Sequence, residues 1–170
     1  MIDSQLIRSV PDAAWLPAGG TAEIWAGADI KVPEPAVIVR LLVQRTTQAG
    51  AELFCVPTAK GLDIPTVFLG SGDGWRPWSA GVAELTSRFL AQDVSTRCVG
   101  FVRNIVPIPD DTYRLPPPVA HVPVFTPVDP LLAPTEGDGT WIGPADAPSL
   151  LAERHWWPIA CEVLGWPPDN

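Results

Sequence analysis

An α+β fold, a mixed sheet with helices packed on it, is what the order of elements in this sequence predicts. Three observations carry the prediction. Short β-branched runs come first, one amphipathic helical stretch interrupts them between Trp78 and Gln92, and further strand-like runs are closed by a terminal helical segment. The chain has 170 residues, 46% of them hydrophobic, which suffices for one packed core and not for two full domains. Its 21 prolines and 14 glycines predict many loops, yet Trp, Val, Ile and Leu are plentiful enough for a folded domain.

Taken in order, Ala36 to Gln44 is β-branched and almost wholly apolar, the pattern of a strand covered on both faces. Glu52 to Pro57 follows a Gln-Ala-Gly turn and is expected to pair with it as a hairpin partner. Leu62 to Leu69 is a further short strand, demoted by Pro65 to an edge or an irregular segment. Gly70-Ser71-Gly72-Asp73-Gly74 reads as a loop. Pro77 suits the first turn of a helix, and Trp78, Val82, Leu85 and Phe89 then recur at helical steps on one face. Glu84, Ser87 and Arg88 fall on the other face.

Beyond the helix, Thr96 to Val106 and Ala120 to Val128 read as strands joined by a proline-rich, extended loop from Pro107 to Pro118. Trp141-Ile142 adds a short strand, Pro148 to Leu151 a helical turn, and Trp156 to Leu164 a closing helix that Gly165 and Pro167 terminate. Charge divides the chain in the same way. Residues 1–33 carry two cations and four carboxylates, 34–128 eight of each, and 129–170 one and seven. The neutral middle is expected to be the core of the fold, with 1–33 an N-terminal arm or extra hairpin packed on it and 166–170 a tail.

A net charge of −8 and the lack of any Lys/Arg cluster argue against a nucleic acid polymer as partner. The longest apolar stretch, Ala36 to Val43, is broken by Arg40, and Met1 to Pro17 lacks the apolar run of a signal peptide, so no membrane partner is expected. Cys55, Cys98 and Cys161 are odd in number, too widely spaced for a metal knuckle, and set among apolar residues. Reduced thiols and a cytoplasmic location follow as the expectation.

The segment from Leu62-Asp63-Ile64-Pro65 through the glycine loop to Ala83-Glu84-Leu85-Thr86-Ser87-Arg88-Phe89-Leu90 resembles a degenerate Nudix box. The family pattern is Gly, five residues, Glu, seven residues, then Arg-Glu-apolar-any-Glu-Glu-any-Gly-apolar. Laid on Leu69 to Ala91 the spacing is kept, with Leu69, Trp75 and Ala83 at the positions of the first Gly, the loop Glu and the Arg. Glu84-Leu85 keeps the Glu-apolar pair, Ser87 and Arg88 stand where the paired glutamates belong, and Leu90 replaces the last Gly. The strand order around the box, and the tryptophan near 141 followed by a helical turn and a terminal helix, are similar to the same family. The resemblance implies a Nudix-like α/β/α sandwich with a mixed sheet over residues 34–165.

It also implies what has changed in the chemistry. Nudix enzymes hold magnesium on several glutamates of one helix face, and Mg²⁺ requires hard oxygen ligands in octahedral array. Glu84 is the one box glutamate retained, and hence the catalytic or metal residue if there is one, while an i,i+4 pair with Arg88 is its bland role. The implied function is a Nudix-fold protein that has lost Mg-dependent pyrophosphohydrolase chemistry and binds a nucleoside-diphosphate-like or other small ligand. No cofactor or metal is then expected. One alternative is a divergent active Nudix hydrolase of a nucleoside diphosphate-linked substrate, using Mg²⁺ or Mn²⁺ on carboxylates such as Asp73, Asp110, Asp111, Asp129 or Glu136 beside Glu84. Another is a protein-interaction module, and a homodimer is left open.

Ligand-binding candidates are Trp75, whose ring can stack on a base, and Arg40, Arg45, Arg103 and Arg114, with Lys60, from which a phosphate or carboxylate clamp can be built. Trp78 belongs to the apolar stripe and His121 reads as a hydrogen-bonded structural histidine. His155 is expected to dock the terminal helix. Tyr113-Arg114-Leu115-Pro116-Pro117-Pro118 also resembles a ligand of SH3-like domains, the other reading being a rigid loop beside the site.

Overall fold

In the computed structural model, residues 4–71, 74–92, 94–131, 134 and 139–168 are described. Their strands are β1 (Gln5–Pro11), β2 (Thr21–Ala26), β3 (Ile38–Leu41), β4 (Gln44–Thr47), β5 (Gly50–Thr58), β6 (Gly61–Asp63), β7 (Thr66–Phe68), β8 (Gly70–Ser71) and β9 (Gly74–Trp75). Helix α1 (Trp78–Leu90) follows, then β10 (Thr96–Ile105), β11 (Val119–Pro127), β12 (Thr140–Ile142), α2 (Ala147–Leu151) and α3 (Trp157–Leu164). A six-stranded sheet in the order β1-β2-β10-β11-β3-β7 is mixed, because β11 and β3 run parallel while the other neighbours are antiparallel. A second sheet runs β12-β5-β4, with β6 paired to β5.

Helices cover both faces of the large sheet. Val39 and Leu41 of β3, Phe101 of β10 and Phe125 of β11 share one core with Val82, Leu85 and Phe89 of α1. Ile24 of β2, Val102 of β10, and Val122 and Val124 of β11 share the other with Trp156 and with Trp157, Ile159 and Leu164 of α3. A bulge between Cys98 and Gly100 lets Val99 and Val102, three residues apart, face the same core, since one extra residue restores the two-residue alternation. Gly100 is required there. A Cβ on it would lie 2.5 Å from the Trp25 carbonyl oxygen and 2.7 Å from Ile159.

The apolar run Ala36 to Gln44, expected as one strand, is divided between the two sheets. Leu42 N–H donates to the Phe125 carbonyl at 2.7 Å and the Val43 carbonyl accepts from Phe54 N–H at 2.9 Å, so the chain hands over from the large sheet to the small one at two fully buried residues. As a result Glu52 to Pro57 meets only the end of that run, at Val43 and Gln44, and pairs otherwise with Arg45 of β4, with β12 and with β6, not with β3. Leu62 to Leu69 likewise breaks at Pro65, which cannot donate to a ladder, into β6 and β7. The glycine loop carries the two-residue ladder of β8 and β9, Gly72 and Asp73 lying outside the described residues. Helix α1 ends at Leu90, two residues before Gln92, with Ala91 left-handed at φ 56°. Gly165 ends α3 at φ 69°, a conformation suited to glycine.

The first 33 residues supply the β1–β2 hairpin, and β2 pairs with β10 from Gly100 to Ile105. Among the described residues no helix is long and apolar enough to cross a membrane.

Candidate functional site

The outward face of α1 carries Glu84, Ser87 and Arg88, all exposed. Glu84 does not pair with Arg88 as its spacing suggests. Its Oε2 lies 3.2 Å from Nη2 of Arg76, which also donates to the Phe68 carbonyl. Arg76 leaves β9 just before the helix begins, so the Phe68 carbonyl fixes its guanidinium within reach of Glu84. The Arg88 guanidinium instead covers the Phe89 ring at 4.9 Å. Both partners of the Arg76–Glu84 pair are about half exposed, so the pair contributes about 0–1 kcal/mol. Trp75 is 44% exposed and meets Phe68 edge-on, while Trp78 is half-buried and stacks on Phe125.

Beside the C-terminal half of α1 lies a cleft of about 760 Å³, bounded by β5, β6 and the start of β12. Its polar lining is Thr58, Asp63, Thr66, Arg88 and Thr140, and Phe89 belongs to its apolar wall. Arg88 therefore stands both over the Phe89 ring and in the lining of the cleft at the C-terminal end of α1.

Asp63, at the end of β6, is the most heavily used carboxylate. Its oxygens accept from Arg40 Nη1 at 3.1 and 3.2 Å, from Ile64 N–H at 2.8 Å and from Trp156 Nε1 at 2.7 Å, and Arg154 Nη1 stands at 3.5 Å. Two guanidinium groups thus share one carboxylate. Arg40 also donates to Thr66 Oγ1, and burial pulls its pKa down while Asp63 opposes that shift. Asp63 reaches the cleft, whereas Arg40 lines a separate cavity of about 240 Å³ on the α3 side of the large sheet, together with Trp15, Ile38, Asn104, Tyr113 and His155.

In that cavity the Trp15 and His155 rings stack with centroids 3.7 Å apart, and Trp15 Nε1 approaches Asn104 Oδ1 at 3.4 Å. Burial first, and then the charge of Arg40, push the pKa of His155 down to about 4, so its ring is neutral near pH 7. His155 precedes the last helix and ties it to the 15–16 turn rather than acting on solvent. His121 accepts from Arg103 Nε at 3.0 Å and lies 3.2 Å from the Pro35 carbonyl, an arrangement that fixes the proton on Nδ1; burial lowers its pKa.

The remaining cations do not join Arg40. Arg103 sits on the other face of the sheet, paired with Glu23 at 3.2 Å and placed over Trp25 and Phe101. Arg45, in the small sheet, is bonded to Glu52 at 2.7 Å and covers Trp141. Arg114 and Lys60 are exposed. Of the carboxylates considered for a rebuilt cation site, Asp110 accepts from Thr112, and Asp129 from Leu131 N–H. Asp111 is exposed, and Asp73 and Glu136 lie outside the described residues. Among the described residues no three metal-ligating side chains gather at one place. The thiols of Cys55 and Cys98 are pushed up by burial, to about 12 and about 11, and Cys161 is buried as well.

Sequence reasoning missed Asp63, Asn104 and Trp15. The available signal was a single carboxylate inside the apolar Leu62-Asp63-Ile64 run, since a carboxylate buried in a strand requires partners.

No family model and no curated protein matches the sequence. Solved structures do match. The NUDIX domain of Shewanella oneidensis NrtR, complexed with ADP ribose, superposes with TM-score 0.51 and 12% identity over 78% of this chain and 90% of its own. The chain has the Nudix fold. C. elegans Ap4A hydrolase (TM-score 0.42, 11% identity, 75% of this chain and 96% of that one) and a point variant of the Bacillus subtilis pyrophosphohydrolase BsRppH (0.45, 9%, 80% and 77%) also match. In this fold the cleft at Arg88 opens beside the C-terminal half of α1.

Proposed function

We propose that this Nudix-fold protein binds a nucleoside-diphosphate-like small ligand in the cleft beside α1 and does not cleave it by metal-dependent hydrolysis. The observation that carries the reading is Arg88 lining that cleft at the position where the box resemblance sets a paired glutamate. Glu84, the retained glutamate, is ion-paired to Arg76. One engaged carboxylate and a guanidinium do not fit the hard-oxygen donor set of Mg²⁺, and a guanidinium repels the cation. The same guanidinium suits a pyrophosphate. The cleft volume falls in the roughly 300–1,000 Å³ range of small-molecule sites, and ADP-ribose, held by the similarly folded NrtR domain, is the natural probe. Buried thiols fit a reducing, cytoplasmic setting. The exposed Phe68–Trp75 pair beside the edge strand β7 favours the second reading, an interaction module.

A repair of the helix face tests the lost metal site. Steps of three and four residues put Glu84 and the side chains of Ser87→Glu and Arg88→Glu on one exposed face. Like-charge repulsion lowers the stability of the double variant, and Mn²⁺ or Mg²⁺ restores it through binding linkage, whereas the wild type gives no response. Isothermal titration with Mn²⁺ reads this directly. Equal and negligible binding by both proteins would show that these positions do not converge on a cation.

A further inference from the structure

The loop from Pro107 to Pro118, between β10 and β11, is tied to the body of the protein at few points. Along it only Tyr113, Leu115 and Pro116 are not fully exposed. Val106 N–H donates to the Pro118 carbonyl at 2.7 Å and closes the loop at its base. Inside it, Tyr113 N–H donates to the Asp110 carbonyl at 3.2 Å, and Thr112 donates to the Asp110 carboxylate. Among the described residues no hydrogen bond or ion pair runs from residues 107–117 to another part of the chain. Pro107, Pro109, Pro116, Pro117 and Pro118 have no N–H to offer and stiffen the segment, so any motion of it is that of a unit.

Side-chain packing is what holds the loop down. Partly buried Leu115 packs on the core that contains α3, and Tyr113 and Leu115 together roof the 240 Å³ cavity whose lining includes Arg40 and Asn104. This roof carries a cost. The Tyr113 hydroxyl on it and Arg40 Nε beneath it are both sealed from solvent with no hydrogen-bond partner among the described residues. Asn104 gives its Oδ1 to Trp15 Nε1 and relieves neither. A donor buried in this way forfeits the hydration it has when exposed, and a charged one forfeits more. The other half of the roof, Trp15 and Leu16, is fixed. Leu16 N–H donates to the Ala13 carbonyl at 3.0 Å, Ala13 N–H donates to the Gly20 carbonyl at 3.2 Å, and Trp15 stacks on His155.

We infer that the 107–118 loop is a lid that swings off this cavity as a unit, about its base at Val106 and Pro118, while the sheet and the Trp15 turn stay in place. Closed, the lid gains the burial of Leu115 and of the Tyr113 ring. Open, the Tyr113 hydroxyl and Arg40 Nε regain water. These terms oppose each other and keep the open state within reach of the closed one. Opening breaks no rung of the β10–β11 ladder, whose last pair is Ile105 with Val119, so it needs no unfolding of the sheet. The lid also bears on the cleft at Arg88 through one side chain. Arg40, which it covers, holds Asp63 and Thr66 of the cleft lining through Nη1. The Tyr113-to-Pro118 segment is in this account a moving cover, since Leu115 packs inward instead of projecting as a docking peptide.

Native-state proteolysis of the full chain reads the opening without any ligand. Arg114 lies in the lid between its two anchors, Tyr113 and Leu115, and trypsin needs the chain on both sides of the scissile bond to be free, so cleavage after Arg114 follows the population of the open lid. The nick is followed by mass spectrometry in buffer and in low urea, and each rate is divided by that of an unstructured peptide of residues 107–120 with the same substitution. Wild type is expected to be cut after Arg114 before any site in the sheets or helices, at a rate nearly independent of urea. Tyr113→Phe, which keeps the ring and removes the unmet hydroxyl, is expected to slow the nick about tenfold, because the closed state no longer bears that cost. Leu115→Ala, which removes the apolar anchor, is expected to speed it about tenfold or more. Cleavage after Arg114 that rises with urea as global unfolding does, or that is unchanged or faster in Tyr113→Phe, overturns the inference. Unchanged cleavage in a folded Leu115→Ala overturns it also, and Tyr113→Phe with the urea profile decides alone where that variant does not fold.

Discussion

Asp63→Asn is expected to lower the unfolding free energy by about 3–5 kcal/mol, the cost of breaking a buried ion pair from one side. The substitution is nearly isosteric, so no cavity accompanies it. What is lost is the charge between Arg40 and Arg154, whose side chains are 13% and 21% exposed. The amide oxygen can keep both bonds that Asp63 Oδ1 accepts, from Trp156 Nε1 and Ile64 N–H, but the amide N–H donors then stand where Oδ2 meets Arg40 and Arg154. Arg40→Met introduced into Asp63→Asn is expected to recover part of the loss by removing one uncompensated cation, a non-additivity that a double-mutant cycle measures. Denaturant unfolding of the four proteins checks both statements. A loss below about 1 kcal/mol for Asp63→Asn would mean that the cluster behaves as a solvated surface network.

Leu85→Ala is expected to cost about 2–5 kcal/mol. Leu85 is 2% exposed and sits between Val82 and Phe89 in the core that joins α1 to Val39, Leu41 and Phe125. Gly81 fixes how near the helix comes, since a Cβ there would lie 2.7 Å from Leu69 and 3.1 Å from Val67. With backbone approach set in this way, the helix cannot sink to fill the space that Leu85 leaves, and the cavity term persists. An unfolding midpoint unchanged by the substitution would remove α1 from the core.

Helix α1 was legible because its stripe of Val82, Leu85 and Phe89 repeats at the helical period and Pro77 marks its start. The strand pair β10 and β11 was legible for the same kind of reason, each being a long β-branched run. Harder to read was the division of Ala36 to Gln44 between two sheets, because a fully buried run has no alternation to show where its partners change. Strand β2 does alternate, with Ala22, Ile24 and Ala26 inward, but two of those three are alanines and Trp25 lies on the opposite face, so the apolar contrast between its faces is weak. The candidate sites depend on contacts distant in sequence. Arg76 reaches Glu84 because β8 and β9 fold back, and Asp63 meets Arg154 and Trp156 from the opposite end of the chain. Neither pairing has a sequence period.

Ligand binding at α1 without metal-dependent cleavage is read out by titrating ADP-ribose into the protein in Mg²⁺ and again in excess chelator, then analysing the ligand by chromatography. Saturable binding of similar strength in both conditions, weakened by Arg88→Ala, with ADP-ribose recovered intact, is the expected result. Release of AMP and ribose 5-phosphate that requires Mg²⁺ and is abolished by Glu84→Gln would contradict the account, since it would show a working metal site on the face where Arg76 and Arg88 now stand.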